Sequence, residues 1–146
     1  MRGKTYIVTG GASGMGRSAV QLLIRREANV VIADINDRMG VECADELRAQ
    51  GAKVAFVHCD IAVESDVLGL IEKTLDQFGG LHGAFNNAAI PQAGLQLADV
   101  SADQFRRTME LNVIGTFLCM KYEILAMLGG VDKFHMCRGG AMRDER

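Results

Sequence analysis

Three glycines in one short run are the residues of this chain best suited to binding chemistry. Gly10, Gly14 and Gly16 fall in Thr9-Gly10-Gly11-Ala12-Ser13-Gly14-Met15-Gly16, directly behind the β-branched stretch Thr5–Thr9 and ahead of a helical segment. Glycine at such places answers a need for space. The turn is tight, the backbone comes close to a pyrophosphate, and the helix packs closely on the sheet. The free N–H groups and the positive end of the helix dipole then face the phosphates, with Ser13, Gly14 and Met15 at the tip of the loop. A lone glycine run also makes an ordinary turn, but here strand, loop and helix stand in the order that phosphate binding requires. An acid, Asp34, ends the second β-branched run twenty residues after Gly14 and is followed by Ile35. A carboxylate there accepts hydrogen bonds from the adenosine ribose hydroxyls and repels a 2′-phosphate. Capping of the next helix is the structural alternative for Asp34. No Arg or Lys follows before Arg38, so the pattern predicts NAD in preference to NADP as the cofactor.

These residues need a frame, and the rest of the chain supplies it. Short β-branched runs occur at Thr5–Thr9, Asn29–Asp34, 53–58 and Gly83–Asn86, with helical periodicity between them. Helices are predicted over about 15–27, 36–50 and 64–78. In the third, Val67, Leu70, Ile71, Thr74, Leu75 and Phe78 make one apolar stripe that Gly79-Gly80 ends. A fourth helix begins at Ser101, where Ser101-Ala102-Asp103-Gln104 has the form of a capping box, and extends to Leu128 before Gly129-Gly130. Its inward face is predicted as Phe105, Thr108, Met109, Asn112, Val113, Thr116, Phe117 and Met120. Strands alternating with helices imply an α/β fold: a Rossmann-like, doubly wound parallel sheet in three α/β/α layers, incomplete at four strands ordered 3-2-1-4. Residues 1–130 form this domain.

Composition narrows the classes of function. The chain has 146 residues, with 16 Lys and Arg against 18 Asp and Glu and a net charge of −2, which excludes a basic nucleic-acid surface. An apolar content of 49% excludes disorder. No apolar run approaches the 18 or so residues of a membrane span, and no signal-peptide core follows the opening residues. Cys43, Cys59, Cys119 and Cys137 contain no Cys-x-x-Cys pair and read as reduced thiols of a cytoplasmic chain. His58, His82 and His135 have no metal-ligand spacing.

Five motifs in register then carry a resemblance. Thr9-Gly10-x-x-x-Gly14-x-Gly16, the acid at 34, Cys59-Asp60-Ile61, Asn86-Asn87-Ala88-Ala89 and Leu111-Asn112-Val113-x-Gly115 resemble the short-chain dehydrogenase/reductase family over about residues 4–130. The segment 83–97 is also similar to bacterial cyclohexadienediol dehydrogenases. The resemblance implies an oxidoreductase using a nicotinamide dinucleotide on small-molecule alcohol or carbonyl substrates. It implies that Asp60 accepts from the adenine amino group while Ile61 packs on the ring. Asn87 and Ala88 would pass beside the nicotinamide-side ribose, Asn86 would tie neighbouring strands, and Asn112 would be the catalytic asparagine that holds a water in a proton relay. Helix capping for Asp60, and an amide bonding its own helix for Asn112, are the structural alternatives. Ala89 stands where the family has glycine. Relatives often dimerise through the long helix that corresponds to 101–128, so a homo-oligomer through that helix is expected.

The family's serine and its tyrosine followed four residues later by lysine are not matched. Only Tyr6 and Tyr122 occur, with Gly10 and Ala126 four residues on. A phenol tuned by an adjacent cation is what proton transfer needs. Residues 131–146 also depart from the pattern, which calls for a fifth apolar strand. Shifted forward by one nucleotide, codons from Val131 onward can encode Ser-Ile-Asn/Ser-Phe/Ser-Thr/Ile-Cys-Ala/Val, compatible with that strand and serine. The expectation is a chain truncated or frameshifted after about residue 130, with an aberrant tail. Two functional readings follow: the cofactor half of a diol or alcohol dehydrogenase, inactive by itself, or a non-catalytic dinucleotide-binding module.

Overall fold

Strands rich in Val and Ile on both faces need apolar cover on both, and helices supply it. The structure is a computed structural model that describes the backbone of residues 1–91 and 94–139, with side chains through residue 129. In chain order the elements are β1 (Thr5–Thr9), α1 (Gly14–Arg25), β2 (Asn29–Asp34), α2 (Asp37–Ala49), β3 (Val54–His58), α3 (Glu64–Phe78) and β4 (Gly83–Asn86). A 3-10 turn (Leu97–Asp99), α4 (Ala102–Met109), a π turn (Glu110–Gly115) and α5 (Thr116–Gly139) complete it. The sheet has the order β3-β2-β1-β4, and every pairing is parallel. Thr9 lies opposite Ala33 and Asn86, and Asp34 lies opposite His58, so the strand ends that carry the motifs share one edge.

Alternation along the strands divides the core in two. Ile7 and Val31 point to the layer of α3 and α5, where Leu70, Ile71, Leu75, Leu118 and Cys119 are buried against them. Val8, Val30 and Ile32 point the other way, onto Val20, Cys43, Ala44 and Leu47 of α1 and α2. Each such side chain contributes roughly 1.5–3 kcal/mol by leaving water. The predicted stripe of α3 is buried at Val67, Leu70, Ile71, Thr74 and Leu75. Gly79 ends that helix at φ 73°, its N–H donating to the Leu75 carbonyl. Cys43, Cys59 and Cys119 are free and buried; the Cys137 side chain lies outside the described residues.

The last helix departs from expectation in three ways. Its capping box forms as read: Ser101 Oγ accepts from the Gln104 N–H at 3.2 Å, and the Ser101 N–H donates to Gln104 Oε1 at 2.9 Å. The helix is not uniform, however, because the π turn at Glu110–Gly115 interrupts it. An inserted residue turns the phase by about 100°. Beyond it the buried face runs through Gly115, Leu118, Cys119, Glu123 and Ala126, leaving Val113, Phe117 and Met120 exposed; α4, ahead of the π turn, buries no residue, so Phe105 and Met109 are exposed as well. Second, Gly129-Gly130 does not stop the helix, which continues to Gly139. Glycine lowers helix propensity by only about 1 kcal/mol and terminates a helix only where the chain turns away. The rest of the expected tail, 140–146, lies outside the described residues. Third, Ala102–Gly129 is long and apolar enough to cross a bilayer by length and composition, with a mean hydropathy of 1.4 over its best 18 residues. The sequence reading put no such stretch in the chain. Lys121 and Glu123 interrupt the run without lowering its average below that of a span, and the helix packs on α3 and β4.

Candidate functional site

Parallel strands ending at one edge leave a crevice there, bounded by the loops that follow them. In this chain it is a cleft of about 530 Å³ lined by Gly10, Ser13, Gly14, Met15, Asp34 and Ile35 on one side. Asp60, Ile61, Asn87 and Ala88 line the other, together with Cys59, Ile90 and Leu111. Two residues expected at the site do not line it. Gly16 lies beneath the loop, where a Cβ would come 2.0 Å from the Gly10 carbonyl oxygen. Asn112 stands behind Ile90.

The loop geometry depends on two glycines in the left-handed region. Gly10 has φ +63°, and a Cβ there would lie 3.0 Å from Asn87 Nδ2 and 3.1 Å from Ala88 Cα. Gly14 has φ +52° and opens onto empty space, so the backbone at the start of α1 is bare toward the cleft. The Ser13 side chain, at the N-cap, makes no capping hydrogen bond, and the first turn of α1 carries no acid. The other long helices neutralise their own N-termini. Asn36 caps α2, with Asp37 beside it, α3 begins with Glu64 and Asp66, and α4 has its capping box and Asp103. The positive end of α1 is left for something outside its own sequence.

Asp34 faces this end from β2. Its Oδ2 accepts from the Ala12 N–H at 3.1 Å and its Oδ1 from the Asn36 N–H at 3.0 Å. These two bonds fix the carboxylate plane and leave each oxygen a further lone pair. The helix cap is Asn36, whose Oδ1 accepts from the Met39 N–H at 3.1 Å, so capping is not the task of Asp34. Met15 and Ile35 stand exposed at the rim.

The opposite wall is built on the turn into α3 and on the end of β4. Asp60 Oδ1 accepts from the Ala62 N–H at 3.0 Å, and the Asp60 N–H donates to Asp66 Oδ2 at 3.1 Å, closing the turn into α3. Ile61 is a core residue, 4% exposed, and a Cβ at Gly115 would meet its Cγ1 at 2.9 Å. What its side chain shows to the cleft is an edge. Asn87, not Asn86, joins the neighbouring strands: its Nδ2 donates to the Thr9 and Gly10 carbonyls at 3.1 and 3.3 Å. Side chains alternate along a strand, so Asn86 points to the helix layer instead, where its Nδ2 donates to Glu123 Oε2 at 2.8 Å.

Asn112 lies in the π turn and clasps the backbone of Ile90 through both ends of its amide. Its Oδ1 accepts from the Ile90 N–H and its Nδ2 donates to the Ile90 carbonyl, each at 3.0 Å. It does not bond its own helix, the structural alternative; it anchors the loop after Asn87-Ala88, and its Oδ1 keeps a second lone pair and its Nδ2 a second N–H. Thr9 belongs to the glycine motif without an assigned role, and its buried Oγ1 accepts from both the Asn87 and Ala88 N–H groups at 3.0 and 3.1 Å. Its place at the strand end beside the glycine run is the only sequence signal. Cys59 lines the cleft, but burial pushes its thiol up to about 12, which keeps it protonated and non-nucleophilic.

A parallel sheet in this order, with a glycine loop at the mouth of the first helix, defines a Rossmann-type α/β fold. The family model described as short chain dehydrogenase matches residues 4–132, and the chain belongs to that family. It is 59% identical over 128 residues to a 2,5-dichloro-2,5-cyclohexadiene-1,4-diol dehydrogenase of Sphingobium indicum, covering 88% of this chain and 50% of that protein. It is 37% identical to (+)-borneol dehydrogenase 1 of Salvia officinalis, covering 87% and 48%. A short chain dehydrogenase/reductase from Burkholderia phymatum, solved in complex with NAD, superimposes with a TM-score of 0.83 at 32% identity, covering 88% and 45%. The chain thus spans about half the length of the curated relatives it matches.

Proposed function

We propose that this chain binds a nicotinamide dinucleotide in the cleft, NAD ahead of NADP, as the cofactor-binding part of an oxidoreductase of alcohols, cyclic diols or carbonyls. One observation carries the reading: an α1 N-terminus that its own side chains leave uncompensated opens toward a carboxylate, Asp34, fixed on the neighbouring strand. The first demands an anion, and the second demands a hydroxyl-bearing group that has no phosphate of its own there. The N–H groups around Gly10, Ser13, Gly14 and Met15 hold the pyrophosphate, and Gly16 lets the loop close. Asp34 and Ile35 take the adenosine ribose, Asp60 and the edge of Ile61 the adenine, and Asn87 and Ala88 the nicotinamide-side ribose. When bound, the nicotinamide ring accepts a hydride from an alcohol carbon or returns one to a carbonyl. Asn112 serves this site by holding Ile90 and the loop beside the cleft. The NAD complex of one relative and the diol named for another support this reading.

Two-dimensional amide NMR of the full chain tests it. NAD is expected to shift Gly10–Gly16, Asp34, Asp60 and Asn87–Ile90; shifts confined to other surfaces, or none at saturating NAD, overturn it. A second reading, a dinucleotide-binding module without turnover, is favoured by Tyr6 and Tyr122, which have Gly10 and Ala126 where a tuning lysine is needed. NADH formation by the purified chain with secondary alcohols and diols decides between the two; the second expects none. We also place the chain in the cytoplasm, as a homo-oligomer through the 101–128 helix.

A further inference from the structure

Glu123 is a charged residue in an apolar layer, 3% exposed on α5 beneath the end of β4. Asn86 Nδ2 donates to its Oε2 at 2.8 Å. The two remaining heteroatoms of this pair, Glu123 Oε1 and Asn86 Oδ1, are both buried and without any partner. An ionised carboxyl makes both of them acceptors, and two acceptors cannot satisfy each other. Nor, among the described residues, does a cation compensate the charge. Lys121 is turned to Glu64 and Tyr122 at the surface, and the titratable groups that share the pair's surroundings are the thiols of Cys59 and Cys119. Burial pushes both thiols to about 12, so they are neutral, while Asp60 and Asp66 act on Cys59 from the start of α3 with the same sign as Glu123.

We propose that Glu123 and Asn86 form a cyclic acid–amide pair, a pH-sensitive latch between α5 and the end of β4. In it the Glu123 Oε1–H donates to Asn86 Oδ1 while Asn86 Nδ2–H donates to Glu123 Oε2. One proton satisfies both orphaned atoms and removes the buried charge. Burial pushes the carboxyl above its ordinary value of 4.5 in the same direction. The latch bears on the cleft because Asn86 precedes Asn87, whose amide clasps Thr9 and Gly10. It does not depend on what the cleft binds.

A carboxyl raised in the folded state gives stability that is complete below the unfolded value near 4.5 and is lost as pH rises through the folded value. The fall in the folding equilibrium constant across that window measures how far burial has raised the folded value. The test uses the ligand-free full chain with 13C-labelled glutamate carboxyls, followed by NMR from acid to alkaline pH. The Glu123 resonance, identified by its loss in Glu123→Gln, is expected to titrate above all exposed glutamates. Glutamine reproduces the pair with its own amide, so Glu123→Gln is expected to fold and to lose the alkaline fall in urea midpoint that the parent shows. Glu123→Leu, which leaves Asn86 with no partner, is expected to be less stable than Glu123→Gln at every pH. A Glu123 carboxyl titrating at or below 4.5, or parallel pH profiles for the parent and Glu123→Gln, overturns the proposal. Failure of the glutamine variant to fold overturns it as well.

Discussion

Asp34 and Asn112 both use their side chains on backbone, but with different consequences when removed. Asp34→Ala is expected to narrow the gap between NAD and NADP, mainly by admitting NADP, because the like-charge contact with a 2′-phosphate disappears. It also strips acceptors from the Ala12 and Asn36 N–H groups, at about 1–2 kcal/mol in urea denaturation. Asn112→Ala removes two bonds to Ile90 and is expected to cost about 1–3 kcal/mol, read in the same way. Asn112→Asp is expected to give no rescue, since a carboxylate keeps the acceptor but sets a second one against the Ile90 carbonyl. The difference in legibility follows from chemistry. Asp34 is readable because its distance from the glycine run is set by one strand–helix–strand unit. Asn112 is readable as an anomaly, a polar residue in an apolar helix, but its partner lies 22 residues away in a loop with no periodicity of its own. The exchange between Asn86 and Asn87 is unreadable from composition, because adjacent identical residues differ only in which face of β4 they meet.

At the level of elements, the strands and the first three helices are legible because each is decided locally, by β-branched runs, by the stripe of α3 and by its glycine stop. Gly79→Ala is expected to cost about 1–2 kcal/mol, the strain of the left-handed backbone alone, since nothing stands within 4 Å of the added methyl. Gly16→Ala is expected to cost more, about 3 kcal/mol or above, because the methyl would come 2.0 Å from a carbonyl oxygen that the turn holds in place. Thermal unfolding of the two variants side by side measures the contrast. The π turn is not legible. It arises where Asn112 reaches Ile90 and Gly115 lies against Ile61, long-range contacts that shift the helical phase without any mark in the spacing. The continuation of α5 through Gly129-Gly130 escapes a sequence reading for a related reason: glycine is a stop signal only when the chain beyond it has another place to go.

At the scale of the whole molecule, two surfaces invite association. Among the described residues β4 pairs only with β1, so its other edge presents unpaired N–H and C=O groups. Beside it α5 exposes Phe117, Met120, Ile124 and Leu128, the last at 77%. An apolar stripe of this kind is seldom left to water. The full chain is expected to self-associate in sedimentation velocity, and Phe117→Lys with Ile124→Lys to shift it toward smaller species; a monodisperse monomer of the parent at all concentrations contradicts this. The fold class needs none of these surfaces to be read, since alternation and the glycine run already imply the strand order 3-2-1-4. Calorimetric titration of the full chain with NAD and, separately, NADP tests the cleft most directly. Binding of NAD at least about tenfold tighter than NADP is the expected result. Equal affinities, or heat from neither, would contradict the roles of Asp34 and the bare N-terminus of α1 in holding the dinucleotide.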